Sequence, residues 1–134
     1  MDRSAHHLTR VVLRGFAAVL LLTQGLVHLW QWMDGFSAVP VIGPLFLAGA
    51  VAAFALALAV LATDNMLVLG AGVLLSLGQI AAFALSSTVG LFGFEAQWTW
   101  TGAEGAALWS ELLTVVALIA LARSRHHTVV AAHA

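Results

Sequence analysis

Apolar and polar positions along the chain separate into four long apolar runs, the first three joined by short connections and the last two by a longer aromatic one. The runs cover Val11–Met33, Val41–Ala62, Met66–Val89 and Gly105–Ala122. Each supplies about the ~20 residues that carry a helix across ~30 Å of hydrocarbon at 1.5 Å per residue. Only Arg14, His28 and Glu111 within them can carry charge. In lipid the backbone has to satisfy itself, so the runs predict helices, and the alternating polar-inward pattern of barrel strands is missing. The first run is longer than a signal-peptide core and has no clean small-residue cleavage motif after it, so it predicts a span. Thr63-Asp64-Asn65 predicts a tight helical hairpin turn. Pro40 precedes the second helix and Pro44 falls in its first turn, where a missing N–H costs little. The expected fold is all-α: one domain over residues 1–134, an antiparallel four-helix transmembrane bundle with short cytoplasmic tails and a long aromatic outer loop between helices 3 and 4.

Composition agrees. Of the 134 residues, 62% are hydrophobic and 8% charged, against about 45–50% and about 25% in soluble domains. This excludes an ordinary soluble enzyme, a nucleic-acid binder and a disordered chain. Cysteine is absent, which removes disulfides, cysteine-ligated metal centres and thiol chemistry. The five cations are all arginines, Arg3, Arg10 and Arg14 near one end and Arg123 and Arg125 near the other. The positive-inside rule then places both termini in the cytoplasm. That requires an even number of crossings, which agrees with four. The lipid bilayer is the first partner implied; a homo-oligomer or other membrane subunits are the next.

Lipid tails are as apolar as leucine, so such helices associate through close packing and a few hydrogen bonds. Small residues at short spacing mark expected seams: Gly15, Ala18 and Gly25; Gly49, Ala53 and Ala57; Gly78, Ala82 and Ser86. Polar residues are uneven. Gln24, His28 and Gln31 share one face of the first helix by their four-then-three spacing. Ser76, Gln79 and Ser86 lie in the third helix and Ser110, Glu111 and Thr114 in the fourth, while the second has almost none. The topology puts His28 and Glu111 at similar depth in the outer half. Charges there cost about 2.5–3.5 kcal/mol each on insertion scales. Facing each other, the two would form an ion pair or share a proton, with Gln24, Gln79 or a serine satisfying the remaining lone pairs. The competing explanation is an inter-helix hydrogen bond of purely structural value, about 0.6 kcal/mol. Neither residue sits in a recognised metal-ligand spacing. A metal on His28 and Glu111 would also need Glu95, Gln24 or water, and bis-histidine haem ligation within one protomer is not expected.

Residues Val89–Glu104 form a connection longer than the usual 2–8 residues, with Leu91, Phe92, Phe94, Trp98 and Trp100 among them. All five tryptophans fall on the outer half. They serve either as an interfacial anchor or, with Glu95 at the entrance, as a lid over the polar site. The pairs His6-His7 and His126-His127 are read as solvated, partly disordered tails.

Gly25-Leu26-Val27-His28-Leu29, the stretch from Ser87 to Glu95 with Trp98 after it, and Glu111 resemble a group of small four-helix integral membrane proteins of actinobacteria, a group of unknown function. The resemblance covers about Gly25 to Ala122. In that group the loop tends to read Ser-Arg-Thr-Val-Gly-Leu-Pro-Gly; here Ser87 replaces the Arg and Phe92 the Pro, which removes a counter-ion for an anion. The plan is also similar to DoxX-like membrane proteins at the level of architecture, which transfers no function.

Two functions stay open. In one, a pocket formed by His28, Glu111, Gln24 and Gln79, capped by Glu95, Trp98 and Trp100, binds a metal ion (candidates His28, Glu111, Glu95), a proton or a small lipophilic molecule such as a quinone. In the other, the chain is an accessory or structural subunit of a larger membrane complex. No nucleophile–base constellation is visible, so enzyme activity is the weaker option. The sequence names no cofactor.

Overall fold

The computed structural model describes residues 3–63 and 65–132, and the side chains of residues 4–63 and 65–125. Four helices follow one another: α1 (Arg3–Met33), α2 (Ile42–Ala62), α3 (Met66–Thr88) and α4 (Gly102–Ala132), with a one-turn 3₁₀ helix at Phe36–Ala38. Among the described residues there is no strand, only an isolated bridge between Leu91 and Phe94. All four helices are long and apolar enough to cross a membrane.

α1 and α4 are longer than their apolar runs. The sequence pattern starts α1 at Val11, but the helix begins at Arg3; it places α4 at 105–122, but that helix runs from Gly102 to Ala132. Polar residues end a hydropathy run without ending a helix, because helical hydrogen bonds are made by the backbone whatever the polarity of the side chain. His6 and His7 are exposed on this extension of α1 rather than in a disordered tail. Backbone helix also covers His126 and His127, whose side chains lie outside the described residues. So does Asp64 of the α2–α3 turn. Beside it, the Asn65 side chain accepts from the Leu67 N–H at 2.9 Å and caps α3.

α1 packs most extensively against α2 and α4, while α2 and α3 touch far less. The packed core joins Ala17 and Leu21 of α1, Ala57 and Val60 of α2, Leu69 of α3, and Leu118 and Leu121 of α4. Small residues let the backbones close here. A β-carbon on Gly25 would stand 2.6 Å from the Phe54 ring, and one on Gly72 would stand 2.6 Å from Leu118. Two expected seams differ. Gly15 and Gly78 have nothing within 4 Å of a built β-carbon. Gly78 and Ala82 line a cleft instead of a packed contact. Leucines and valines such as Leu67, Leu74 and Leu58 face outward, at 81%, 73% and 69% exposure, an outer surface suited to lipid rather than water.

Two tight segments frame the end of the bundle that holds the cleft. After α1, Gly35 turns the chain at φ 128°. Gly43 then lies so close to the 3₁₀ turn that an added β-carbon would meet the Phe36 carbonyl at 2.7 Å. Between α3 and α4, Leu91 and Phe94 exchange backbone bonds of 2.7 and 2.9 Å. Phe92 and Gly93, at φ 51° and 79°, make the two-residue turn of type I′.

The junction into α4 is the most constrained glycine position. A β-carbon on Gly105 would fall on the Trp100 carbonyl group, backbone that cannot swing aside. Gly105→Ala is expected to lose about 1–3 kcal/mol of stability. Gly70→Ala, which meets open space, is expected to gain up to about 1 kcal/mol from helix propensity. Thermal unfolding of both variants in one detergent checks the contrast; equal effects would refute it.

Candidate functional site

At the end of the bundle away from the leucine core the helices diverge around a cleft of about 990 Å³. α1 contributes His28 and Gln31, α3 contributes Gln79 and Ser86, and α4 contributes Glu104 and Glu111. Between these polar groups lie apolar walls from α2, α3 and the 91–99 connection.

His28 and Glu111 meet at the floor. His28 Nε2 stands 3.9 Å from Glu111 Oε1, and both residues are buried. The other ring nitrogen, Nδ1, donates to the Gln24 carbonyl oxygen at 3.0 Å. A carbonyl only accepts, so in the neutral ring Nε2 carries the lone pair, and it faces the carboxyl group. At 3.9 Å the two are too far apart for a direct hydrogen bond. An oxygen placed about 2.8 Å from each would bridge them. Phe46 lies against the imidazole with ring centroids 5.1 Å apart, and Phe36 stacks on Phe46 at 4.7 Å.

The two glutamines named from sequence part company. Gln24 does not line the cleft. Its carboxamide is fully buried one turn below, where Nε2 donates to Thr114 Oγ1 at 2.7 Å and Ser76 Oγ at 3.1 Å, and Ser76 returns a bond to Oε1 at 3.4 Å. The four-residue step from Gln24 to His28 does place both on one helix face. At Gln24, however, α3 and α4 close around α1, whereas at His28 they open. The structure therefore does not bring the Gln24 side chain into the His28–Glu111 cleft: its backbone carbonyl meets His28, and its side chain ties helices. Gln79 does line the cleft. Its Nε2 and Oε1 are buried and have no hydrogen-bond partner. The amide sits over Gly49, whose added β-carbon would be 2.9 Å from Gln79 Nε2 and 3.5 Å from His28 Cδ2. Both polar groups thus crowd one point on α2 that only a glycine leaves free.

The 89–101 connection covers one side. Ala96 N–H donates to the Ser86 carbonyl at 3.0 Å, Phe94 meets Phe36 edge-on at 5.4 Å, and Trp98 stacks on Phe83 at 5.1 Å. Glu95 and Trp98 line the cleft; Trp100 does not. Trp100 stands beyond Trp98, edge-on at 5.4 Å, and leans toward Trp109 at 5.5 Å, which continues the ring ladder onto the exposed face of α4. Glu95 is exposed and does not join His28 and Glu111 as a third ligand: among the described residues no group of three or more His, Cys, Asp or Glu could hold a metal ion. Sequence reasoning missed Phe36 and Phe46, apolar positions that carry no polar signal, and read Gly49 only as a packing seam.

Comparison with family models, with curated proteins and with solved structures returns no match, so the chemistry of this site rests on its own geometry.

The two glutamines predict opposite signs. Gln24→Leu breaks bonds to α3 and α4 and is expected to destabilise by about 1–2 kcal/mol. Gln79→Leu removes two unmet polar atoms and is expected to be neutral or to stabilise by about 1 kcal/mol. Chemical unfolding of both variants in one detergent measures the difference. Equal losses would mean that Gln79 has a structural partner.

Proposed function

We propose that this chain is a multi-pass protein of a bacterial cytoplasmic membrane that holds one small lipophilic molecule by its polar head. The head lies on His28, Glu111 and Gln79, and the body lies along the apolar walls. One observation carries this reading: three chemically different polar side chains converge at the floor of a 990 Å³ cleft without satisfying one another. A purely structural inter-helix bond would be closed and paired, as Gln24 is. Here the His28–Glu111 gap is 3.9 Å and the Gln79 carboxamide has no partner. The volume and the mix of apolar wall and few polar groups are those of small-molecule pockets. A metal ion is less well served, with two strong ligands and no third among the described residues.

The orientation that accompanies this reading has both termini in the cytoplasm, neighbouring helices antiparallel, and the cleft with its aromatic 89–101 connection in the outer half. The arginines at the two ends support it. So does the pairing of α3 with α4, in which Gly72 approaches Leu118 while Ser76, four residues on, shares Gln24 with Thr114, four residues back.

The test is protein purified in mild detergent, wild type beside His28→Ala and Glu111→Gln, with organic extracts read by mass spectrometry and metal content and optical spectrum read in parallel. The expected result is about one equivalent of a lipophilic species in the wild type and loss of most of it in both variants, with helical content unchanged. Equal extracts from folded wild type and variants would refute the binding role. Other chains co-purifying with all three would then favour an accessory subunit.

A further inference from the structure

We propose that the cleft takes its occupant sideways from the bilayer, between α2 and α3. We further propose that this occupant is a single-chain amphiphile whose neutral head presents a hydrogen-bond donor and an acceptor side by side, as a protonated carboxylic acid or a primary carboxamide does. The proposal rests on the reading of the cleft as a lipophile site and specifies its door and its head group.

The door is set by packing. α2 and α3 are consecutive, yet they touch far less than α1 touches α2 or α4. Where the cleft separates them, a run of short side chains, Ala48 and Ala52 on α2 and Gly78 and Ala82 on α3, lies between larger ones, Leu45 and Phe46 on α2 and Leu74 and Phe83 on α3. Ala48 and Gly78 are exposed, and a β-carbon on Gly78 meets nothing within 4 Å. α2 has no polar side chain from Ile42 to Ala62, and α3 has none before Ser76. The side chains of Ala48, Ala52, Gly78 and Ala82 themselves offer water no partner, while an alkyl chain loses nothing by lying across them.

The head is set by what the floor lacks. A carboxamide offers a donor and an acceptor on one edge, and on Gln79 both are buried and unmet. The complementary edge belongs to a carboxylic acid or another primary amide, which would make two antiparallel hydrogen bonds. An ester or ether answers only the donor, and an ammonium only the acceptor. A phosphate finds no cation, because among the described residues none lining the cleft is Arg or Lys, whereas Glu95, Glu104 and Glu111 do line it. That set disfavours an anionic phospholipid head and favours a neutral one.

Native mass spectrometry of the full chain with stearamide, stearic acid and methyl stearate, each offered separately, tests both parts. Stearamide and stearic acid are expected to form a one-to-one adduct about tenfold more abundant than methyl stearate does, the factor for one unmet buried hydrogen bond. Gln79→Leu is expected to abolish that preference. Gly78→Phe, which fills the door, is expected to cut adducts of all three several-fold. Leu77→Phe, beside the door but outside the cleft, serves as the control and is expected to leave them unchanged. Circular dichroism confirms that each variant is folded. Methyl stearate binding as well as stearamide would overturn the head assignment, and undiminished adducts in Gly78→Phe would overturn the side entry. If purified wild type carries a lipophile that His28→Ala loses, yet none of the three probes forms an adduct, the head assignment fails and the binding role stands. If no lipophile is found by either route, the binding role fails with it.

Discussion

Hydrocarbon offers no hydrogen-bond partner, so a polar side chain inside such a bundle is costly unless another meets it. Gln24 is where that demand draws the helices together. Its carboxamide reaches Ser76 on α3 and Thr114 on α4, and Thr114 passes a bond on to the Ser110 carbonyl at 2.7 Å. Dispersion between leucines would permit many rotations of α1, because lipid solvates leucine equally well. A buried carboxamide that needs two hydroxyls from two other helices selects one. The aliphatic core from Leu21 to Leu121 packs on one side of this knot, and the cleft opens on the other.

The cleft follows from what lies beyond the knot. One turn along α1, His28 is too far from Glu111 to close on it. Gln79, one turn beyond Ser76 on α3, meets no hydroxyl. α2 cannot supply one, since it has no polar side chain. Its contribution is space, through Gly49 under the glutamine and histidine. The chain holds this open volume with aromatic struts rather than with polar bonds: His28, Phe46, Phe36 and Phe94 form one run of ring contacts, and Phe83, Trp98, Trp100 and Trp109 form another. Val41, a β-branched residue at φ 65°, directly precedes the cleft-lining Ile42, and backbone strain of this kind persists only if its surroundings over-determine it.

The helices were legible because a membrane span is a length of uninterrupted apolar chain, and four such lengths stand in the sequence. Their ends were less so. Arg10 and Arg14 lower hydropathy, yet the helix runs through them to Arg3, since backbone hydrogen bonding is indifferent to the polarity that marks a run. Face arithmetic put Gln24, His28 and Gln31 together, and they do share a face. It could not show that α3 and α4 grip that face at Gln24 and leave it at His28, because inter-helix distance is written in the packing of four helices at once. The proximity of His28 to Glu111 could be posed from depth alone. Which tryptophan lines the cleft was not legible in the sequence, and the aromatic floor depended on a chain reversal that only Gly35 and the prolines hint at.

Gln24 joins the two halves of the molecule through one residue. Its side chain ties α1 to α3 and α4, while its carbonyl oxygen receives the Nδ1 proton of His28 and so turns Nε2 toward Glu111. With Nδ1 committed, a single further proton shared between Nε2 and the carboxyl group leaves the pair neutral as a whole, whichever of the two carries it. That is the state a site walled by hydrocarbon admits at least cost. The imidazole is thus oriented by the backbone of α1 itself, through a bond to the carbonyl of the same residue whose side chain ties the helices together.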